Sequence, residues 1–337
     1  MSGNIALSVV VPTYQRRDSI RRLLAALHEQ TLAPTEFEVV VVVDGSTDGT
    51  REWLAQQHPP FRLNVLSSPN RGRAAACNRG IAAARGDVLV LLDDDMCPFA
   101  ECLAAHLEAH AGHERWGIVG AAPIFVDDRA DAVKRFVASK FNTHLQKLAR
   151  PGHEFSPRDF YTGNFSIRRD VLLEVGGFDE DFTRYGNEDV ELSVRLRRAG
   201  VRLRFEPRAA SRQAYEKGLA ALANDTVDKG RTSVVLARKH PEVWKQLRLA
   251  AFDEAPRTRR FVRAGLLRAT RQWPALQGLS VRCAEWLVRN RAPGASLWCD
   301  LMLDYLYWCG VRTELARADA LDSRLALLAN RLAAQPR

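Results

Sequence analysis

The sequence predicts an α/β fold in which a mostly parallel β-sheet is flanked by helices and followed by a helical C-terminal extension. In the N-terminal part, apolar runs typical of buried strands alternate with segments of helical periodicity. These runs end in polar or acidic residues, as strands do at the ligand-binding edge of an open sheet. The last third consists of helical segments separated by prolines. A chain of 337 residues with 46% apolar residues is long enough for a globular domain and such an extension.

The first strands and helices follow one another in β-α-β-α order. Strands are predicted at Leu7–Val11, Phe37–Val43, Arg62–Ser67 and Val88–Leu92. Apolar residues at helical spacing, from Ile20 to Leu27, follow the first strand, and an alanine-rich helix runs from Gly72 to Ala84. Parallel strands joined by crossovers bring their carboxyl ends to one edge. We therefore expect Thr13, Asp44, Arg73 and the acids 93–95 to converge there.

Three consecutive carboxylates, Asp93, Asp94 and Asp95, end the strand Val88–Leu92 and are the most informative feature of the chain. Clustered acids repel one another and are costly to desolvate, so a divalent metal with a phosphate partner would complete such a site. A solvated turn is the alternative interpretation, especially for Asp94. Neither a dinucleotide fingerprint nor a P-loop motif occurs, so metal and basic residues would have to hold the phosphates.

The same edge has side chains suited to a nucleotide. Asp44 could accept a hydrogen bond from the imide N–H of a pyrimidine, and Tyr14 could lie against the ring. Arg71 or Arg73 could meet phosphate at a helix N-terminus. The edge therefore suits a metal-chelated nucleoside diphosphate.

A further acidic cluster, Glu188, Asp189 and Glu191, begins a helix predicted at Val190–Ala199. Acids in the first turn of a helix are stabilised by the helix dipole, so these residues could have a purely structural role. The apolar residues of this helix fall on more than one face, which suggests burial. A carboxylate at a mostly buried helix start is placed to take a proton.

Five segments occur in a fixed order: Ser8–Tyr14, Val43–Thr50, Asn70–Gly80, Gly86–Asp95 and Gly186–Leu192. In order and spacing they resemble the successive motifs of family 2 inverting glycosyltransferases, which have the Rossmann-like GT-A fold. The resemblance covers about the first two thirds of the chain. It implies transfer of a sugar from a nucleotide-diphosphate donor with inversion at the anomeric carbon, assisted by Mg²⁺ or Mn²⁺.

The resemblance also implies roles for single residues. Asp44 corresponds to the nucleobase ligand, Asp93 to the ribose and metal neighbourhood, and Asp95 to the direct ligand of the cation. Asp189 corresponds to the general base, and the adjacent Glu188 is a second expected catalytic residue. The nucleotide-binding set is Pro12, Thr13, Tyr14, Arg16, Asp44, Arg71, Arg73, Asp93 and Asp94.

The chain departs from the family pattern in one place. Many relatives supply a histidine after the Glu-Asp helix as a further metal or phosphate ligand, but residues 206–213 contain none. Arg208 or Arg212 is the expected substitute at the diphosphate.

The function implied is an inverting hexosyltransferase that moves a sugar, from a UDP donor in preference to dTDP or GDP, to the hydroxyl of a glycan or lipid-linked acceptor. Cell-surface or secreted polysaccharide biosynthesis is the expected context. A sugar-1-phosphate nucleotidyltransferase is one alternative, although the Gly-rich Arg-Lys loop usual in such enzymes does not follow the first strand. A non-catalytic, membrane-associated glycan- or nucleotide-binding protein is the other, and the presence of both Asp95 and Asp189 argues against it.

Charge divides the chain into an expected catalytic domain, residues 1–225, and a basic, tryptophan-rich helical extension, residues 226–337. Lys and Arg number 29 against 30 Asp and Glu in the first part, and 20 against 10 in the second. Helices are predicted in the extension at 225–239, 258–272, 279–290, 297–307 and a last one through Leu332. Six cysteines without a C-x-x-C pair indicate reduced thiols and argue against zinc.

Two interpretations of the extension remain open. Its tryptophans and leucines could pack a subdomain with solvated arginines. Alternatively, residues 256–272 could form a basic amphipathic surface that binds anionic lipid. That surface would consist of Arg257, Arg259, Arg260, Arg263, Arg268 and Arg271 with Phe261, Leu266 and Leu267.

The expected location follows from what the sequence lacks. It shows no signal-peptide pattern and no apolar run long enough to span a bilayer, so we expect a cytoplasmic protein. Under the lipid-binding interpretation it would be peripheral at the inner face of the plasma membrane. Nucleic-acid binding is not expected, because no base-reading module accompanies the charge.

Overall fold

The computed structural model describes residues 5–128, 130–290, 292–318 and 321–333. The chain forms two compact units. The first comprises residues up to 125 with 138–183 and 188–215, and the second comprises 126–137, 184–187 and the chain from 216 onward. A domain boundary at residue 225 stays a prediction.

The first unit is built on a seven-stranded sheet in the order β3-β2-β1-β4-β7-β6-β8. The strands are β1 (Leu7–Thr13), β2 (Phe37–Asp44), β3 (Arg62–Ser68), β4 (Val88–Leu92), β5 (Met96–Pro98), β6 (Trp116–Gly120), β7 (Asn164–Arg168), β8 (Arg202–Glu206) and β9 (Ser211–Gln213). Only β7 runs antiparallel to its neighbours in this sheet, β4 and β6, and β5 pairs with β9 in a separate two-stranded ribbon. The mostly parallel sheet is confirmed.

Helices flank the sheet of the first unit. They are α1 (Arg17–His28), α2 (Thr50–Leu54), α3 (Arg73–Ala83), α4 (Cys102–Ala109), α5 (Ala132–Leu148), α6 (Arg169–Val175) and α7 (Glu188–Arg198), of which α5 is shared between the units. Alternate strand residues enter different core clusters: Val10 and Leu89 lie in one, and Val9 and Val90 in the other. Because both faces are covered, the strands read as continuous apolar runs.

The second unit is helical: α8 (Leu219–Lys239), α9 (Arg257–Gln272), α10 (Ala275–Arg289), α11 (Ala295–Leu315) and α12 (Ser323–Ala333). The predicted helices are present, but α8 begins before Asp225 and α11 continues beyond Tyr307. Within the described residues, no helix combines the length and the apolar character that crossing a bilayer requires.

Close contact between α8 and α11 explains why α11 continues through a glycine. A Cβ on Gly310 would lie 1.9 Å from the Val227 carbonyl oxygen, and one on Gly230 would lie 2.0 Å from that of Tyr307. The two glycines therefore let the helix backbones touch, and Gly310 is a packing residue rather than a helix end. Trp308 is fully buried in this region, whereas Trp273 and Trp286 are exposed. The tryptophans thus divide between core and surface.

We expect Gly310→Ala to lower the free energy of unfolding by about 1–3 kcal/mol, because the added methyl group overpacks the helix contact. Urea denaturation followed by circular dichroism measures the change. Gly265→Ala is the matched control: Gly265 lies within α9 with nothing within 4 Å of its added Cβ. That variant should gain about 0.5–1 kcal/mol from helix propensity. Equal stability of Gly310→Ala and the parent chain would contradict the packing role.

Candidate active site at the carboxyl ends of the strands

The loops after β1 and β2 are hydrogen-bonded to each other. The backbone N–H of Gln15 donates to the Ser46 hydroxyl at 2.9 Å, and that of Arg17 donates to Asp48 Oδ2 at 3.0 Å. Gln15 adopts a positive φ of 54°, which is uncommon for a residue with a side chain. These bonds hold the residues that follow the two strands in a fixed relation, as the expected convergence requires.

Asp44, at the end of β2, is 4% exposed and fixes the turn before α3. Its Oδ1 and Oδ2 accept hydrogen bonds from the backbone N–H groups of Arg71 and Gly72, each at 2.9 Å. Asp44 also lines a groove of about 320 Å³. The other lining residues are Ser68, Arg71, Ala75, Ala76, Asn78, Arg79 and Glu180.

Asp94 is buried rather than solvated, so the solvated-turn interpretation is wrong for this residue. Thr13 donates its hydroxyl to Asp94 Oδ2 at 2.8 Å, and Arg16 Nη1 donates to Oδ1 at 3.4 Å. Burial raises the pKa of Asp94 to about 7, although the Arg16 charge acts in the opposite direction. Arg16 also lies 3.5 Å from Asp95 Oδ2. The Arg16 guanidinium group therefore contacts two of the three consecutive acids.

Arg73, the first residue of α3, joins the acids of β4 to those of α7. Its Nη2 donates to Asp93 Oδ1 at 2.7 Å and to the Thr162 hydroxyl oxygen at 2.9 Å. Its Nη1 lies 3.4 Å from Asp189 Oδ1 and 3.8 Å from Glu188 Oε1. The predicted meeting of Arg73 with the acids of β4 is therefore present, and it extends to Glu188 and Asp189.

Glu188 and Asp189 are adjacent but lie in different environments. The Glu188 side chain is only 6% exposed, and its Oε2 has no hydrogen-bond partner among the described residues. Burial, followed by the negative charge of Asp189, raises the pKa of Glu188 well above its usual range. The Asp189 side chain is 26% exposed, and its Oδ1 accepts from the Thr162 hydroxyl at 2.5 Å. Burial thus favours the neutral form of Glu188, whereas Asp189 is more exposed and accepts a hydrogen bond from Thr162.

Two residues at this site escaped sequence reasoning. Thr162 contacts both Arg73 and Asp189, and Gln213 Nε2 lies 3.3 Å from Asp95 Oδ2. The pairing of β5 with β9 brings Gln213 to this position. The glycine after Thr162 was the available signal: a Cβ on Gly163 would lie 2.7 Å from Asp93 Oδ2, so the backbone passes directly against that acid.

Other expected site residues lie further from these contacts. Pro12 is within β1 opposite Val42, and Tyr14 is half-exposed just beyond the strand, with no described contact to Asp44. The Arg71 side chain is exposed and contacts Glu180 at 3.3 Å.

Arg208 and Arg212, the arginines expected at the diphosphate in place of the family's histidine, have other neighbours in the structure. Arg208 forms ion pairs with Glu108 and Glu206, and Arg212 lies opposite Cys97 in the β5–β9 ribbon. Among residues 206–213, Gln213 is the one whose side chain contacts an acid of the 93–95 run, namely Asp95.

The side chains that follow β4 offer carboxylate oxygens, which are suitable ligands for a hard divalent cation. Within the described part of the chain, no three His, Cys, Asp or Glu side chains form a complete metal-binding group. Asp93 and Asp95 would therefore supply part of a coordination shell, with phosphate and water supplying the rest, as is usual for Mg²⁺ at nucleotide sites.

Comparison with known proteins gives a family match. The model of glycosyl transferase family 2 matches residues 8–176. Validoxylamine A glucosyltransferase of Streptomyces hygroscopicus subsp. limoneus is 32% identical over 280 residues, which cover 72% of this chain and 58% of the relative. The uncharacterized glycosyltransferase YfnE of Bacillus subtilis is 27% identical over 59% of this chain and 62% of its own length. The chain spans about three fifths of the length of these curated relatives.

Solved structures show the same fold. The mannosyltransferase PcManGT of Pyrobaculum calidifontis, in complex with GDP-Man and Mn²⁺, has a TM-score of 0.57 and 23% identity, covering 93% of this chain and 88% of that one. TarS residues 1–349 of S. aureus, in complex with UDP, has a TM-score of 0.54 and 17% identity, covering 94% of each chain. The GT-A fold expected from the motifs is confirmed. Because the family model matches half of the sequence, the chain belongs to glycosyl transferase family 2, a family of nucleotide-sugar-dependent glycosyltransferases.

Proposed function

We propose that this chain is an inverting hexosyltransferase that moves a sugar from a nucleoside diphosphate, UDP in preference to dTDP or GDP, to an acceptor hydroxyl. The observation that supports this most strongly is the position of Arg73. Its guanidinium binds Asp93, on the proposed donor side, and Asp189, the proposed base. Donor activation and proton removal would therefore take place within reach of one side chain.

The donor base is proposed to enter the groove lined by Asp44. Each Asp44 oxygen accepts one backbone N–H and keeps a second lone pair, which could accept from the imide N–H of uracil. Thr13 and Arg16 would contact the nucleotide directly. They would also position Asp94, to which both are hydrogen-bonded. Pro12, Tyr14 and Arg71 complete the proposed nucleotide site, with Tyr14 at its exposed rim.

Mg²⁺ or Mn²⁺ is the proposed cofactor, held by Asp93 and Asp95. When bound, such a cation neutralises charge on a departing diphosphate. PcManGT is described with Mn²⁺, which supports the same choice for this chain. Arg16 and Arg73 place positive charge at the same edge of the sheet independently of any cation.

Asp189 is proposed to remove the proton from the acceptor hydroxyl as its oxygen attacks the anomeric carbon. The described hydrogen bonds from Thr162 and Arg73 both reach Oδ1, which leaves Oδ2 to receive the proton. Those two donors also fix the orientation of the carboxylate. Burial raises the pKa of Glu188 and so disfavours its charged form, which is why Asp189 is the proposed acceptor of the proton.

The proposed acceptor is a glycan or a lipid-linked glycan in cell-surface or secreted polysaccharide synthesis, and the proposed location is cytoplasmic with peripheral attachment to anionic membrane. Helix α9 supplies charge for such attachment, although not with all six arginines. Arg263 is buried and lies 3.6 Å from Asp304, and Arg259 is paired with Asp300. The exposed cations of residues 256–272 are Arg257, Arg260, Arg268 and Arg271.

We expect Asp189→Asn to lower the rate of donor turnover by about 10²–10⁴-fold, because the proposed base is removed. Donor consumption is measured over a panel of sugar nucleotides with Mn²⁺, and a thermal shift with UDP and Mn²⁺ checks that the nucleotide still binds. Asp170→Asn, which changes an exposed carboxylate on α6, is the matched control. Full turnover by Asp189→Asn would reject the assignment, and absence of turnover by the parent chain would favour the non-catalytic alternative.

Thr162→Val should lower kcat about tenfold with little change in the donor KM, because Asp189 loses one hydrogen bond worth about 1.4 kcal/mol. Thr162→Ser, which keeps the hydroxyl, should restore kcat. A parent-like kcat in Thr162→Val would show that Thr162 does not position the proposed base.

Glu188→Gln should remove a pH dependence from the stability of the protein. The folded-state pKa of Glu188 is raised, so the folded chain binds the proton more tightly than the unfolded chain does. The parent chain should therefore lose stability as pH rises from about 4.5 towards about 7, by on the order of 2 kcal/mol, relative to Glu188→Gln. Urea denaturation at several pH values measures this difference, and parallel curves for the two proteins would contradict the burial of an ionisable Glu188.

A further inference from the structure

Helix α10 exposes an unusual face to solvent. Its exposed residues recur at helical spacing as Leu279, Arg282, Cys283, Trp286 and Arg289, which we call the α10 face. Trp286 is 63% exposed and Leu279 is 46% exposed. The helix positions that are buried are small, Ser280 and Ala284. A solvated helix normally has the opposite distribution, with its large apolar residues inside.

The α10 face continues into a groove beside the start of α11. Arg282, Cys283, Trp286, Leu287 and Trp298 line this groove, which has a volume of about 440 Å³. Leu297, next to Trp298 in sequence, is 64% exposed. Clustered exposed apolar side chains of this size usually mark a site of interaction rather than a solvated surface.

The charges around these apolar residues select among the partners that could cover them. Helix α10 exposes two arginines, Arg282 and Arg289, and its one acidic residue, Glu285, is half-buried. A second copy of the chain would bring arginines against arginines, whereas an anionic partner would be complementary. Tryptophan and arginine side chains both combine an apolar body with a polar or charged end, which suits the boundary between headgroups and acyl chains of a bilayer.

We propose that the α10 face, with Leu297 and Trp298, docks on an anionic lipid bilayer. Leu279 and Trp286 enter the acyl boundary, and Arg282 and Arg289 meet the headgroup phosphates. This surface lies outside the α9 segment considered above, whose exposed apolar side chain is Phe261, and it adds Leu279 and Trp286 on a second helix. It involves none of the proposed catalytic residues, and its test needs no sugar donor. Its failure and the failure of the proposed sugar transfer are therefore distinguishable.

Co-sedimentation of the full chain with vesicles tests the proposal. We expect binding to vesicles that contain phosphatidylglycerol, weaker binding to pure phosphatidylcholine, and a further loss of binding at high salt. The double change Leu279→Gln and Trp286→Gln should weaken partitioning tenfold or more, by roughly the loss expected for two buried apolar side chains. Arg282→Gln should weaken binding to the anionic vesicles only.

Two control variants test whether exposed apolar or basic residues elsewhere in the chain contribute to vesicle binding as the α10 face does. Leu173→Gln changes an apolar side chain on α6 that is 44% exposed, close to the 46% of Leu279, and Arg150→Gln changes an exposed arginine elsewhere. Both should bind vesicles like the parent chain. Three results would overturn the proposal: no binding by the parent chain, parent-like binding by the double variant, or self-association without lipid that the double variant abolishes.

Cys283 offers a direct probe, because it is exposed whereas the other five cysteines are buried. An environment-sensitive fluorophore attached to its thiol should shift its emission to shorter wavelength when anionic vesicles are added. An unchanged emission spectrum from vesicle-bound protein would place the contact elsewhere and reject the α10 face.

Discussion

Five carboxylates meet at one edge of the sheet, and their arrangement depends on two guanidinium groups that lie among them. Arg16 is paired with Asp94 and Asp95, and Arg73 is paired with Asp93, Glu188 and Asp189. Without these guanidinium groups, neighbouring carboxylates would repel one another. Leaving a partly buried charge without its partner costs about 3–5 kcal/mol, so each arginine is part of the fold as well as of the proposed site.

The acids at this edge of the sheet differ in their burial and in their hydrogen-bond partners. Glu188 is buried and has a raised pKa, and Asp94 has a raised pKa while bound by Thr13 and Arg16. Asp93 and Asp189 are more exposed, with side chains 34% and 26% accessible, and both are hydrogen-bonded by Arg73. Within one cluster, two acids are therefore buried and have a raised pKa, whereas two others are more exposed and bound by a single arginine. Pairs of titratable groups with divergent environments are the usual sign of divided chemical roles.

Sequence reasoning reached the sheet and its acidic edge because both follow from short-range patterns. Apolar runs locate Val88–Leu92, and parallel topology places Asp44 and Asp93 at one edge. The partners of those acids come from elements without a recognisable pattern: Thr162 precedes β7, and Gln213 ends a three-residue strand. Their positions depend on antiparallel pairings between distant segments, which no local periodicity specifies.

The positive charge of the C-terminal helices illustrates the same limit at the level of single side chains. Arg263 belongs to the packed interior, where it lies over the ring of Phe252 at 4.3 Å and near Asp304, and burial lowers its pKa. Arg282 is exposed and lines an apolar groove. Both count equally in a net charge, yet only the second can meet an external partner. Helical spacing, rather than the amount of charge, therefore decides which arginines form a surface, and on α10 that spacing places them beside tryptophan and leucine.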